Sequence, residues 1–148
     1  MEASLACPRR TSCGGGTEKG RKNLAAGLRF PLTDINNYYF AEITCNGYYL
    51  VGKKVAGTKS KIQDWTATSN ITRGLGYSNV ISITRNSANN FSVYINNMGT
   101  PVYTFADTSL TDGGYSGFYL VVGTSSDEKF PDTPVDIRFK LTSPFAIP

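Results

Sequence analysis

The chain contains no histidine. That single absence excludes Ser-His-Asp and Cys-His catalysis, histidine-ligated zinc and a histidine pH switch. Cysteine is scarce: Cys7, Cys13 and Cys45 are odd in number and form no CxxC pair. Neither a zinc site nor a disulfide framework follows from them. Long apolar runs are missing, so nothing reads as a membrane-spanning helix. The segment Ser4–Cys7 is too short for the apolar core of a signal peptide. Glutamate is sparse outside the N-terminal region, where only Glu42 and Glu128 occur. A glycosidase needs two carboxyl groups flanking the scissile bond, and no closely spaced acidic set offers such a pair.

Charge is low in amount and uneven in place. Charged residues make up 18% of the chain and the net charge is +4. Residues 1–25 hold Arg9, Arg10, Lys19, Arg21 and Lys22 against Glu2 and Glu18, so most of the excess lies there. Ten basic and nine acidic residues in the remainder leave that part close to neutral. A near-neutral domain offers no overall electrostatic footprint for nucleic acid, which is excluded as an expected partner. Residues 1–25 are Gly-, Lys- and Arg-rich without periodicity and read as a flexible tail, with one domain over 26–145.

What is present is a succession of short, alternating apolar runs separated by turn residues. Strands are expected near Gly27–Phe30 (ended by Pro31), Tyr38–Thr44, Tyr48–Val55, Ser60–Trp65, Asn79–Arg85, Asn90–Asn96, Pro101–Ala106, Gly117–Val122 and Val135–Leu141. Asn46-Gly47 is a strong hairpin signal. The continuously apolar Gly117–Val122 suits a central strand buried on both sides. No segment has a 3.6-residue apolar period over a helix length. About nine strands and no helix predict an all-β, two-sheet antiparallel sandwich or jelly roll.

The order of certain residues carries a family resemblance. Asn37-Tyr38-Tyr39-Phe40, the hairpin Gly47-Tyr48-Tyr49-Leu50 and Trp65 before a long loop begin it. Asn79–Ile83, Phe91–Asn96, Pro101–Phe105, Gly114–Phe118 and Val135–Phe139 complete it. Over about residues 27–142 the chain resembles the concanavalin A-like lectin/glucanase jelly roll. The likeness is to its laminin-G-like and 3-keto-disaccharide-hydrolase-like domains in bacterial extracellular proteins. Such domains begin with several more strands, so the resemblance implies an N-terminally incomplete sandwich whose uncovered edge invites self-association. The closing Val-Asp-Ile-Arg-Phe departs from the relatives' Phe-Asp-x-x-x-Val, which weakens a role for Asp136. An extracellular or cell-surface origin is also implied. Ser4–Cys7 and Cys13–Gly16 resemble a lipoprotein signal end and tether; a mis-assigned start accounts for the same residues.

Sugar binding needs an aromatic face for stacking and fixed polar side chains beside it. Trp65, with Asp64 and Gln63 next to it and Asn70 in the following loop, is the first candidate; Tyr38, Tyr48 and Tyr77 follow. The competing role is cross-strand packing. Calcium needs six to eight oxygens, and Asp107 and Asp112 share a loop, with Asp127, Glu128 and Asp132 in another. Ordinary turn composition explains the same residues. Asn70-Ile71-Thr72 and Asn90-Phe91-Ser92 fit the glycosylation pattern, a frequent chance match. The expectation is a non-catalytic module binding a glycan or another cell-surface ligand. The alternatives are a hydrolase of the 3-keto-disaccharide type and an interaction domain that uses a sheet edge.

Overall fold

In a computed structural model, residues 2–6, 24–73, 77–110, 115–122 and 139–141 are described, and among them are ten β-strands and no helix. The strands are β1 (Glu2–Ala6), β2 (Leu24–Asp34), β3 (Asn37–Thr44), β4 (Tyr48–Val55), β5 (Thr58–Ala67), β6 (Ser78–Arg85), β7 (Asn90–Ile95), β8 (Tyr103–Ala106), β9 (Tyr115–Val122) and β10 (Phe139–Leu141). They form two five-stranded sheets, β10-β1-β6-β7-β8 and β5-β4-β3-β2-β9, and every paired neighbour is antiparallel. The all-β sandwich expected from the alternating pattern is the observed fold.

Period-two alternation builds the core. One face of the second sheet contributes Ala26, Leu28 and Phe30 from β2, Tyr39, Ala41 and Ile43 from β3, and Tyr49 and Val51 from β4. Ile81, Ile83, Phe91, Val93, Ile95 and Phe105 of the first sheet join the same buried cluster. The Tyr39 ring bridges the layers, its centroid 4.9 Å from that of Phe91, and within the first sheet Phe91 stacks on its cross-strand partner Phe105 at 4.8 Å with 12° between planes. Such pairs add roughly 0.5–1.5 kcal/mol each beyond the area they bury.

Turn chemistry sets the registers. The β4–β5 loop is the pair Ala56-Gly57, both at positive φ (49° and 83°), as a two-residue hairpin with the right-handed strand twist requires. The loop after Thr44 has three residues, Cys45, Asn46 and Gly47, of which Gly47 alone takes positive φ. The Asn46-Gly47 hairpin is therefore present in a longer form than the pair alone suggests.

Several sequence expectations change. The tail expected over residues 1–25 fails at both ends: Glu2–Ala6 is a strand paired with β6 and β10, and Leu24 and Ala25 open β2. Residues 7–23 lie outside the described residues. A five-residue strand whose partners are distant in sequence carries too little local periodicity to be recognised. β1 covers the edge that β6 would otherwise present, so the uncovered edge expected from missing first strands is not at β6. Pro31 does not end β2; the strand continues past it, with a register shift between Phe30 and Leu32. A bulge is where a strand tolerates a residue lacking an N–H. β9 is not central: it stands at the end of its sheet, paired among the described residues with β2.

Candidate functional site

The side of β3 turned away from the core is also buried. Tyr38, Phe40, Glu42 and Thr44 alternate with the inward residues, and all four are buried. Tyr38, Phe40 and Leu50 form a second apolar cluster, with Trp65 packed against it. The register lines up two lateral rows. Arg29, Phe40, Gly52 and Lys61 are successive partners across β2, β3, β4 and β5, and Tyr38, Lys54 and Lys59 make the row beside it. Cations cap the rings: the Arg29 guanidinium lies 4.5 Å from the Tyr38 centroid, Lys54 Nζ 5.9 Å from it, and Lys59 Nζ 5.4 Å from that of Phe40. The Phe40 ring also lies across Gly52, where a Cβ would meet the ring and come within 2.8 Å of the Ser60 carbonyl oxygen.

Trp65 owes its position to irregularity in β5. Tyr49 pairs with Thr66, Val51 with Gln63 and Gly52 with Lys61, so β5 carries an extra residue at each of two register shifts. Ile62 packs against the main core, while Trp65 lies half-buried on the outer cluster. Its neighbours are fixed by hydrogen bonds. The Trp65 N–H donates to Asp64 Oδ1 at 2.7 Å, and Lys61 Nζ reaches the same oxygen at 2.7 Å. Gln63 Nε2 donates to Thr66 Oγ1 at 2.6 Å. Trp65, Asp64 and Gln63 thus share one locally ordered stretch, and Tyr38 belongs to the cluster beneath Trp65. Tyr38 is 2% exposed, so its ring is packed rather than offered to a ligand.

Asn70, Tyr48 and Tyr77 are not members of that cluster. The loop after β5 is tied to the β3–β4 turn by the Thr68 N–H donating to the Gly47 carbonyl at 2.9 Å. Buried Asn79 holds the loop further on: its Oδ1 accepts from Thr72 N at 2.7 Å and from Asn96 Nδ2 at 2.8 Å. Asn96 Nδ2 also donates to the Asn70 carbonyl at 2.7 Å. Asn70 is therefore fastened through its backbone. Tyr48 is half-buried opposite Ala67, and Tyr77 is 55% exposed before β6. Asn79 and Asn96 have no signature in the sequence, because their partners belong to different elements.

Asp107 occupies a different setting from the one a calcium loop supplies. Lys53, on the core side of β4, donates to Asp107 Oδ2 at 2.5 Å and to Ser109 Oγ at 2.8 Å. Tyr39 Oη donates to Asp107 Oδ1 at 2.7 Å, and the Ser109 N–H donates to the same oxygen at 2.7 Å. Burial works against the Asp107 charge, but the hydrogen bonds from Lys53, Ser109 and Tyr39 outweigh it and hold the carboxyl well below its ordinary range. Burial, then the hydrogen bond to Asp107 and its charge, push the Tyr39 phenol up. An ammonium group already satisfies this carboxylate. Asp112, Asp127, Glu128 and Asp132 lie outside the described residues, as do Asp136 and the other residues of the expected closing strand before Phe139. Among the described residues no three His, Cys, Asp or Glu side chains converge as a metal site.

The sequence reading passed over the lysines. Lys54 and Lys59 are symmetric about the Ala56-Gly57 turn, so a two-residue loop there sets them opposite each other. That spacing was the available signal, hidden by a near-neutral charge total.

No protein-family profile matches the chain, and no curated protein sequence matches it. Among solved structures the chain is similar to the native heptameric SAP-like pentraxin from Limulus polyphemus, at 12% identity and a TM-score of 0.33, over 93% of this chain and 75% of that one.

Proposed function

We propose that the chain is a non-catalytic binding module that recognises a glycan at a cell surface or outside the cell, through the outer face of the sheet β5-β4-β3-β2-β9. The observation that carries the reading is Trp65: a half-buried indole packed against the outer apolar cluster that Tyr38, Phe40 and Leu50 form, with Asp64 and Gln63 ordered beside it. A ring with its back supported and one flank wet is suited to stacking on a pyranose, and adjacent polar groups orient the hydroxyls. The Asp107 carboxylate lies on the core side, taken up by Lys53 and Tyr39, and is no part of this face.

The test is a glycan array probed with the whole chain, with calcium present and then chelated. Binding should survive chelation, and Trp65→Ala should weaken it about tenfold or more while the chain stays folded, a loss in keeping with a buried aromatic anchor. Binding to no glycan, or binding indifferent to Trp65→Ala, removes the proposal.

A further inference from the structure

The rows on the outer face point to the kind of glycan. Arg29, Lys54, Lys59 and Lys61 stand in two adjacent rows around Tyr38 and Phe40. With strands about 4.8 Å apart, four strands gather these cations within a patch roughly 15 Å wide. The rings hold three of the charged heads at fixed heights, 4.5, 5.9 and 5.4 Å from a centroid. Preorganised cations lose less freedom when an anion arrives.

Nearby carboxylates offset the patch only in part. Asp64 pairs with Lys61, but the two side chains are 66% and 52% exposed, and such a pair exchanges readily for another anion. Lys54 Nζ donates to two neutral acceptors, the Ile35 carbonyl at 2.9 Å and Asn36 Oδ1 at 3.2 Å. Asp34, in the same turn, accepts from the Asn36 N–H and from Asn37 Nδ2. The Lys53–Asp107 salt bridge lies on the core side. Set against Glu42 and Asp64 on the same face and Asp34 close to Lys54, the four cations leave a small local excess of positive charge that the near-neutral total for residues 26–148 conceals.

We infer that the ligand of this face is an anionic glycan, with sulfate or carboxylate groups on Lys54, Lys59 and Lys61 and a sugar ring on Trp65. The inference rests on the binding-module reading. A neutral polyol gains nothing from a row of ammonium groups, whereas an anionic chain lying across β4 and β5 meets one at each strand.

The whole chain should be titrated with a sulfated oligosaccharide, an oligogalacturonide, a neutral dextran oligomer and single-stranded DNA. At least one anionic glycan should bind about tenfold or more tightly than the neutral one, and should weaken as salt rises from about 0.05 to about 0.2 M. Lys59→Gln with Lys61→Gln should weaken that binding about tenfold or more, while Arg85→Gln on the other sheet should not. Lys59, Lys61 and Arg85 are exposed, and circular dichroism checks that each variant is folded. Equal binding of neutral and anionic glycans, or no effect of the paired lysine change, overturns the inference. If a neutral glycan binds and Trp65→Ala abolishes it, the inference falls and the module reading stands. If no glycan binds, both fall. DNA binding as tight as the anionic glycan would mean a generic polyanion surface, which also overturns it.

Discussion

Single residues join segments that are remote in sequence. Asp107 accepts from Lys53 and Tyr39, fifty-four and sixty-eight positions away, and so pins the chain after β8 to the opposite sheet. Asp107→Ala leaves the Lys53 ammonium and the Tyr39 hydroxyl without that partner. It is expected to cost roughly 2–3 kcal/mol, read by urea unfolding. Lys53→Met should cost less, because Tyr39 and the Ser109 N–H still satisfy the carboxylate. Equal losses for the two variants would contradict this ranking. A second residue runs against its own backbone: Ala56 sits at φ 49°, where a Cβ is unfavourable and asparagine or glycine is at ease. Ala56→Asn is expected to raise stability by about 0.5–1 kcal/mol with the hairpin unchanged. A loss on that substitution would show that the Ala56 methyl contributes packing.

At the scale of elements, β1 marks the boundary of what sequence reveals. Alternation made β3, β4, β6 and β7 legible, because each shows period two against its hairpin neighbour. The Asn46-Gly47 turn was legible from its residues, whereas at the next turn Gly57 was legible but not its pairing with Ala56, because alanine carries no turn signal. β1 was not, since Glu2–Ala6 pairs with Ser78–Ser82 and Phe139–Leu141, and no local pattern encodes partners so distant. The site divided the same way. Trp65, Asp64 and Gln63 could be named together because they are consecutive, whereas the burial of Tyr38 under Arg29 depends on β2 lying beside β3. Leu5→Pro separates a strand from a tail. As an internal residue of a strand with a neighbour on each side, Leu5 should not accept proline, and the change should cost about 3 kcal/mol or more in urea unfolding. Unchanged stability would return residues 2–6 to a tail. β5 bears on edge pairing. It is ten residues long and, among the described residues, ends its sheet, and Lys59, Lys61 and its two register shifts are features that disfavour pairing with another strand there.

For the whole molecule, the absence of histidine and the perturbed groups together set the response to pH. Asp107 and Asp34 have folded pKa values held below the ordinary 3.8, the latter by the Asn37 side chain and then the Asn36 N–H. A depressed carboxyl contributes stability that is present above its unfolded pKa and is lost as pH falls from there toward the folded value. Tyr39 and Tyr49 have values raised above the ordinary 10.0, chiefly by burial. For a raised group the stability is complete below the unfolded value and is lost as pH rises from it toward the folded one. Unfolding free energy should therefore be nearly flat between about pH 5 and about pH 9, with an acid limb below and an alkaline limb above. The two limbs are coupled through the Tyr39–Asp107 hydrogen bond, but each has a variant that acts on it most strongly. Asp107→Asn should shallow the acid limb, since the amide does not titrate. Tyr39→Phe keeps the ring against Phe91 and Phe105 but removes the ionising hydroxyl, so it should shallow the alkaline limb most, and the acid limb less, because Asp107 loses one of the hydrogen bonds that lower it. Urea unfolding at closely spaced pH values, on the wild type and both variants, gives all three curves. An alkaline limb of unchanged depth in Tyr39→Phe would mean that other groups drive it and that the phenol's burial contributes little to the coupling of folding and pH.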